Sequence, residues 1–225
     1  MADAFDNGKF QKEPVLGIVR GVPEFALDGV LNAALEAGLS CLEITLNTEN
    51  ASRLIRIASG KKLLCIGAGT VLSLQDAQIA CDAGARFLVS PTLNEEVAVF
   101  CRENKIPFFP GAYSPTEIEK AWSLGAEMVK VFPASRLGPD YFKEILGPFP
   151  DIRLMAVGGI DVSNIALYLK CGASGLAVGG SVFTRNRMEN GNYEAIRKGL
   201  EEFLLAVRSF YHNIGGGIIN SSEEG

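Results

Sequence analysis

The stretch LLCIGAGTVLSLQDAQIACDAGARFLVS, residues 63–90, decides the fold. It opens on an apolar run, Leu63–Ala68, passes through a loop and continues as a helical pattern over Leu74–Ala83. It then turns at Gly84 into a second apolar run, Arg86–Ser90. A short apolar run bounded by turn residues suits a strand covered on both faces. A glycine directly after a helix can take the left-handed conformation that closes it. The stretch is therefore one strand–helix unit leading into the next strand.

The unit recurs in both directions. Apolar runs fall at Val15–Arg20, Cys41–Leu46, Leu63–Ala68, Arg86–Ser90, Pro107–Pro110, Glu127–Phe132, Arg153–Val157 and Gly175–Val178, eight in all. The helical patterns that follow them are Glu24–Ala37, Glu49–Ser59, Leu74–Ala83, Asn94–Glu103, Pro115–Leu124, Pro139–Leu146, Val162–Lys170 and Tyr193–Tyr211. Gly38, Gly84, Gly125 and Gly172 stand where helices should end. Eight such units predict parallel strands with right-handed crossovers, and closing them into a (β/α)8 TIM barrel removes both sheet edges. An open doubly wound sheet is the alternative, and the regular spacing favours the barrel. The expected organisation is one α/β domain over residues 1–213. The tail 214–225, with three consecutive glycines and then mostly polar residues, is expected to be disordered.

Composition narrows the function. The chain has 225 residues, 48% of them apolar, and a net charge of −5. No basic block exists, so neither nucleic acid nor an anionic membrane is an expected partner. Residues 1–11 lack an apolar signal core, and no run reaches the length of a membrane span, so a cytoplasmic protein is expected. Cys41, Cys65, Cys81, Cys101 and Cys171 form no CxxC pair and read as free thiols in a reducing compartment. The single histidine, His212, sits at the end of the last helical pattern. It suits a cation near a helix C-terminus better than a catalytic base. One histidine cannot build a multi-histidine zinc site within one chain, and no metal or cofactor is expected.

In such barrels the reactive groups lie at the C-terminal ends of the strands. Among the lysines only Lys130 falls inside an apolar run, Met128-Val129-Lys130-Val131-Phe132. Strand alternation turns Met128, Lys130 and Phe132 into the barrel and the two valines toward the helices. A buried lysine must either find a partner or lose its proton. The first outcome is a structural ion pair; the second is a nucleophilic amine. Glu43 reads the same way: Cys41, Glu43 and Thr45 face inward while Leu42, Ile44 and Leu46 face the helices. It suits either an ion-pair partner for Lys130 or an acid/base. Arg20 ends the first run and fits bidentate recognition of a carboxylate. Thr70 could bind the same group, and taken alone it reads as a helix N-cap. Gly158-Gly159 and Gly179-Gly180-Ser181 follow the seventh and eighth runs, where barrels bind phosphate through backbone N–H groups. Tight turns without a ligand would also account for them.

Arg20, Leu42–Leu46, Gly67–Val71, Ser90-Pro91, Pro110-Gly111, Lys130–Ala134, Gly158–Ile160 and Gly180-Ser181 fall in one register from Val15 to Phe183. In that order they resemble the 2-keto-3-deoxy-6-phosphogluconate (KDPG) and 4-hydroxy-2-oxoglutarate (KHG) aldolases. KVFPA, residues 130–134, is the most specific piece. The resemblance implies a metal-free homotrimer acting on a small phosphorylated keto acid. It makes Lys130 the Schiff-base lysine and Glu43 the general acid/base. It gives Arg20 and Thr70 the pyruvate carboxylate, Phe132 and Pro91 the pocket wall, and Gly158, Gly159, Gly180 and Ser181 the phosphate loops. Asn47 and Val157 depart from the commonest KDPG pattern, which has arginine and threonine there, and look like the branch acting on the galactonate epimer. Two other readings remain open on sequence. One is an enzyme of the thiamine-phosphate-synthase kind, which needs aspartates clustered at the strand ends. The other is a non-catalytic phosphosugar-binding barrel.

Overall fold

The computed structural model describes residues 5–62 and 64–213. Its sheet contains β1 (Val15–Val19), β2 (Cys41–Thr45), β3 (Cys65–Gly69), β4 (Leu88–Val89), β5 (Phe108–Phe109), β6 (Gly111–Ala112), β7 (Val129–Val131), β8 (Leu154–Ala156) and β9 (Gly175–Val178). Every pairing is parallel, in the order β5-β4-β3-β2-β1-β9-β8-β7-β6. The eight expected runs are all strands. The fifth is split because Pro110 has no N–H to give to a ladder. That split closes the barrel. Phe109 offers its carbonyl to the Ser90 N–H at 3.1 Å on one side, and Pro110 offers its carbonyl to the Lys130 N–H at 2.8 Å on the other.

The helices lie where the sequence puts them, with small shifts at their starts. They are α2 (Leu27–Glu36), α3 (Ala51–Gly60), α4 (Leu74–Asp82), α5 (Glu95–Glu103), α6 (Pro115–Ser123), α8 (Asp140–Leu146), α9 (Ile165–Lys170) and α11 (Tyr193–Asn213). Glu24–Ala26 form a 3-10 turn rather than the first turn of α2, and α9 begins at Ile165 rather than Val162. Gly38, Gly84, Gly125 and Gly172 all have φ between 90° and 101°, the left-handed closure expected of them. Three short helices have no counterpart in the sequence reading: α1 (Asn7–Lys12), α7 (Ala134–Leu137) and α10 (Arg185–Glu189). Leu63 and the expected tail 214–225 lie outside the described residues.

Two apolar layers follow from strand alternation. Leu42, Ile44, Val129 and Val131 join the helices in the outer layer. Leu16, Cys41, Phe87, Phe109, Met128 and Met155 fill the barrel itself. Phe10 of α1 is fully buried against this inner layer, edge to face with Phe109 at 5.7 Å. The N-terminal helix thus plugs the end where the strands begin, leaving the opposite mouth for a ligand. Glu13 accepts from the Arg208 guanidinium at 2.6 and 2.9 Å and ties this plug to α11. The cysteines are free; Cys41 and Cys101 are buried and the other three half-buried. None of the helices among the described residues is long and apolar enough to cross a membrane.

Candidate active site

At the strand C-termini a cleft of about 720 Å³ opens. Every residue singled out from the sequence lines it: Lys130 and Glu43; Arg20, Thr70, Pro91 and Phe132; Gly158, Gly159, Gly180 and Ser181; Asn47 and Val157. They come from seven separate strand ends and the loops that follow them, brought together only by barrel closure. His212 lies on the exposed end of α11 and is not among them.

Lys130 is 6% exposed and Glu43 1%. The structural ion pair left open by the sequence is absent. Among the described residues, no carboxylate oxygen lies within 4.0 Å of Lys130 Nζ. Nζ instead sits 5.3 Å from the centre of the Phe132 ring. Burial lowers the Lys130 pKa, Glu43 opposes that shift, and the Arg20 charge adds to it. Burial likewise pushes Glu43 up to about 7, against the pull of Lys130 and Arg20. Among the described residues its Oε2 is buried without a hydrogen-bond partner, an arrangement that costs stability unless a bound group satisfies it. The cleft thus holds an amine biased toward its neutral form and a carboxyl group that exchanges its proton near neutrality.

The room for these groups is made by the inner face of β3. A Cβ on Gly67 would lie 2.3 Å from the Phe87 ring, and one on Gly69 would lie 2.3 Å from Glu43 Oε1. Across the barrel, a Cβ on Gly111 would lie 2.1 Å from the Pro91 carbonyl oxygen, so glycine there lets Pro91 reach the cleft.

Thr70 is not a helix cap. Ser73 caps α4, accepting from the Asp76 N–H at 3.1 Å while Asp76 accepts from Ser73 in return. Thr70 has φ of 58°, a strained value for a β-branched residue. Its hydroxyl makes no hydrogen bond among the described residues, and the residue lines the cleft.

The glycine loops present donors. Among the described residues, the N–H groups of Gly159, Gly180 and Ser181 find no acceptor. Arg187 braces the second loop from behind, donating from Nη1 to the carbonyls of Val182 at 2.9 Å and Ser181 at 3.5 Å. A Cβ on Gly180 would meet nothing within 4 Å, so no neighbour demands the glycine and its face is open to a ligand. The Ser181 hydroxyl is engaged with the Ile160 carbonyl at 3.2 Å, leaving its backbone N–H as the free donor.

The model of the KDPG and KHG aldolases matches residues 8–199. The chain belongs to this aldolase family. Its relatives include the 2-dehydro-3-deoxy-phosphogluconate aldolase of Treponema pallidum, 37% identical over 170 residues, covering 69% of this chain and 81% of that one. A solved native KDPGal structure superposes with a TM-score of 0.81 at 28% identity, covering 88% of this chain and 96% of the other. The KDPG aldolase of Legionella pneumophila, solved with pyruvate captured at low pH as a covalent carbinolamine intermediate, superposes with a TM-score of 0.80. It is 27% identical and covers 85% of this chain and 94% of that one.

Three polar residues of the cleft escape the sequence reading: Asp161, Thr184 and Arg185. Asp161 and Arg185 lie on a loop and a short helix with no apolar periodicity to orient them. Among the described residues no group of three or more His, Cys, Asp or Glu is arranged to hold a metal, so the aspartate cluster needed by the thiamine-phosphate-synthase reading has no counterpart there.

Proposed function

We propose that this chain is a class I aldolase that reversibly cleaves a phosphorylated 2-keto-3-deoxy sugar acid to pyruvate and an aldehyde such as glyceraldehyde 3-phosphate. The observation that carries the reading is that, among the described residues, a buried lysine with no carboxylate in contact lines the same cleft as a buried glutamate with an unpartnered oxygen. Lys130 attacks the keto carbon as the neutral amine, and loss of water gives an iminium. The iminium takes the electron pair released when C3–C4 breaks. Glu43 receives the proton of the C4 hydroxyl as the aldehyde leaves. It then returns a proton to the enamine carbon, and water hydrolyses the iminium to free pyruvate and regenerate the amine. Arg20 and the Thr70 hydroxyl hold the carboxylate, with Phe132 and Pro91 shaping the pyruvate pocket. Gly158, Gly159, Gly180 and Ser181 receive the phosphate, chiefly through backbone N–H groups.

Asn47 and Val157 favour the galactonate epimer. Val157 is 3% exposed and apolar, and offers no hydrogen bond to a substrate hydroxyl. The working assembly is a homotrimer. Its support is the family resemblance together with apolar side chains such as Leu72 and Ile79, which are exposed on a single chain; sedimentation at micromolar concentration tests it. The catalytic assignment is tested by Lys130→Ala, assayed for pyruvate release from both C4 epimers. Loss of at least about a thousandfold in kcat is expected, and retention of normal turnover would remove the mechanism.

A further inference from the structure

The cleft carries three basic side chains, Arg20, Lys130 and Arg185. Arg20 and Lys130 belong to the reacting end: the Arg20 charge acts on both Lys130 and Glu43, and Arg185 acts on neither. Arg185 instead follows the Gly179-Gly180-Ser181 loop, as the first residue of α10. Its Nε donates to Glu189 Oε1 at 2.6 Å, one turn along. Among the described residues its two Nη groups have no carboxylate partner, and the side chain is 82% exposed. Asp161 also lines the cleft. Its Oδ1 accepts from the Ser163 N–H at 2.9 Å and from the Ser163 hydroxyl at 2.5 Å.

A phosphate dianion entering between these loops meets free backbone N–H groups. It also meets an aspartate charge that repels it, with the Ser181 hydroxyl already engaged by a carbonyl. A guanidinium beside those N–H groups would add charge-assisted hydrogen bonds to theirs. The one cation lining that end of the cleft has its inner nitrogen fixed and its bidentate edge unused, the fork that matches phosphate oxygens.

We propose that Arg185 grips the substrate phosphate and sets the preference for phosphorylated over unphosphorylated substrates, with Glu189 as the residue that positions it. This rests on the aldolase reading above and adds a specificity residue to it. Glu189 holds the guanidinium through Nε, so less side-chain freedom is lost when the Nη groups meet phosphate.

The test is run in the condensation direction, with pyruvate and either glyceraldehyde 3-phosphate or glyceraldehyde, on wild type, Arg185→Gln and Glu189→Gln. Arg185→Gln is expected to raise the KM for glyceraldehyde 3-phosphate about tenfold to a hundredfold. Its kcat/KM for glyceraldehyde should stay within about twofold, because no phosphate contact exists to lose. Glu189→Gln is expected to raise the same KM by a smaller factor at unchanged kcat, the split that marks positioning. Inorganic phosphate should raise the melting temperature of wild type more than that of Arg185→Gln, a readout that needs no turnover. Equal losses on both aldehydes, or no change on either, would overturn the proposal. So would equal phosphate stabilisation of the two proteins. Borohydride trapping of pyruvate on the same samples separates the two levels. A wild type that traps no pyruvate overturns the aldolase reading and this proposal with it. A wild type that traps pyruvate, with Arg185→Gln indistinguishable from it, overturns the Arg185 assignment alone.

Discussion

Gly69 makes the space that the Glu43 carboxylate occupies: a Cβ there would lie 2.3 Å from Glu43 Oε1 and 3.1 Å from the Thr45 methyl. The two residues sit on adjacent strands, with Glu43 paired to Gly67 and Thr45 to Gly69. The third strand therefore contributes to the chemistry by what it lacks. Gly69→Ala is expected to push the carboxylate out of position, lowering kcat about a hundredfold and costing about 1–3 kcal/mol through overpacking. Steady-state kinetics alongside urea unfolding checks both. Full activity with the methyl group in place would mean that Glu43 need not stand where it does.

Glu43 also makes stability depend on pH. Its folded pKa of about 7 lies above the usual carboxyl value of 4.5, because burial disfavours the charged form. The folded protein then binds more protons than the unfolded chain between those values. Stability is fully present below about pH 4.5 and falls as pH rises through about 7. Glu43→Gln removes this term and is expected to be more stable than wild type at pH 8, by up to about 3 kcal/mol, while losing turnover. Denaturant titrations at pH 5 and pH 8 show whether the difference between the two proteins widens with pH, as the sign requires. A constant difference would contradict the burial of an ionisable carboxyl.

Much of this was readable in the sequence for a definite reason. A parallel barrel strand is covered on both faces, so each registers as an apolar run, and a charged residue inside one, such as Lys130 or Glu43, stands out at once. Helix ends were equally clear at Gly38, Gly84, Gly125 and Gly172, where only the left-handed backbone continues the chain compactly. What periodicity could not supply was anything shorter than its own window. Helices α1, α7 and α10 are too short for a pattern, and so the plugging role of Phe10 and the place of Arg185 were hidden. The split at Pro110 was also hidden, because a proline inside an apolar run says that a ladder breaks, not which neighbour each half joins. Thr70 misled in a different way. Its type suggests a cap, but Ser73, three residues later, has the capping-box partner at Asp76.

Val157 lines the cleft with a buried apolar side chain. Val157→Thr restores a hydroxyl at the point where the commonest gluconate pattern has one. It is expected to move the ratio of kcat/KM values toward the gluconate epimer by about tenfold. It should also cost about 1–2 kcal/mol, since the site buries a polar group without a protein partner in the free enzyme. Assay of both epimers on wild type and variant measures the shift, and an unchanged ratio would assign the stereochemical choice to another residue.

The central claim is that Lys130 forms a covalent bond to pyruvate, and incubation with pyruvate and borohydride tests it most directly, with intact mass and peptide mapping as the readout. The account predicts one reduced pyruvate adduct per chain, located on Lys130, formed faster as pH rises through the lowered amine pKa and absent in Lys130→Ala. A folded wild-type protein that gains no adduct, or gains it on another lysine, would contradict it.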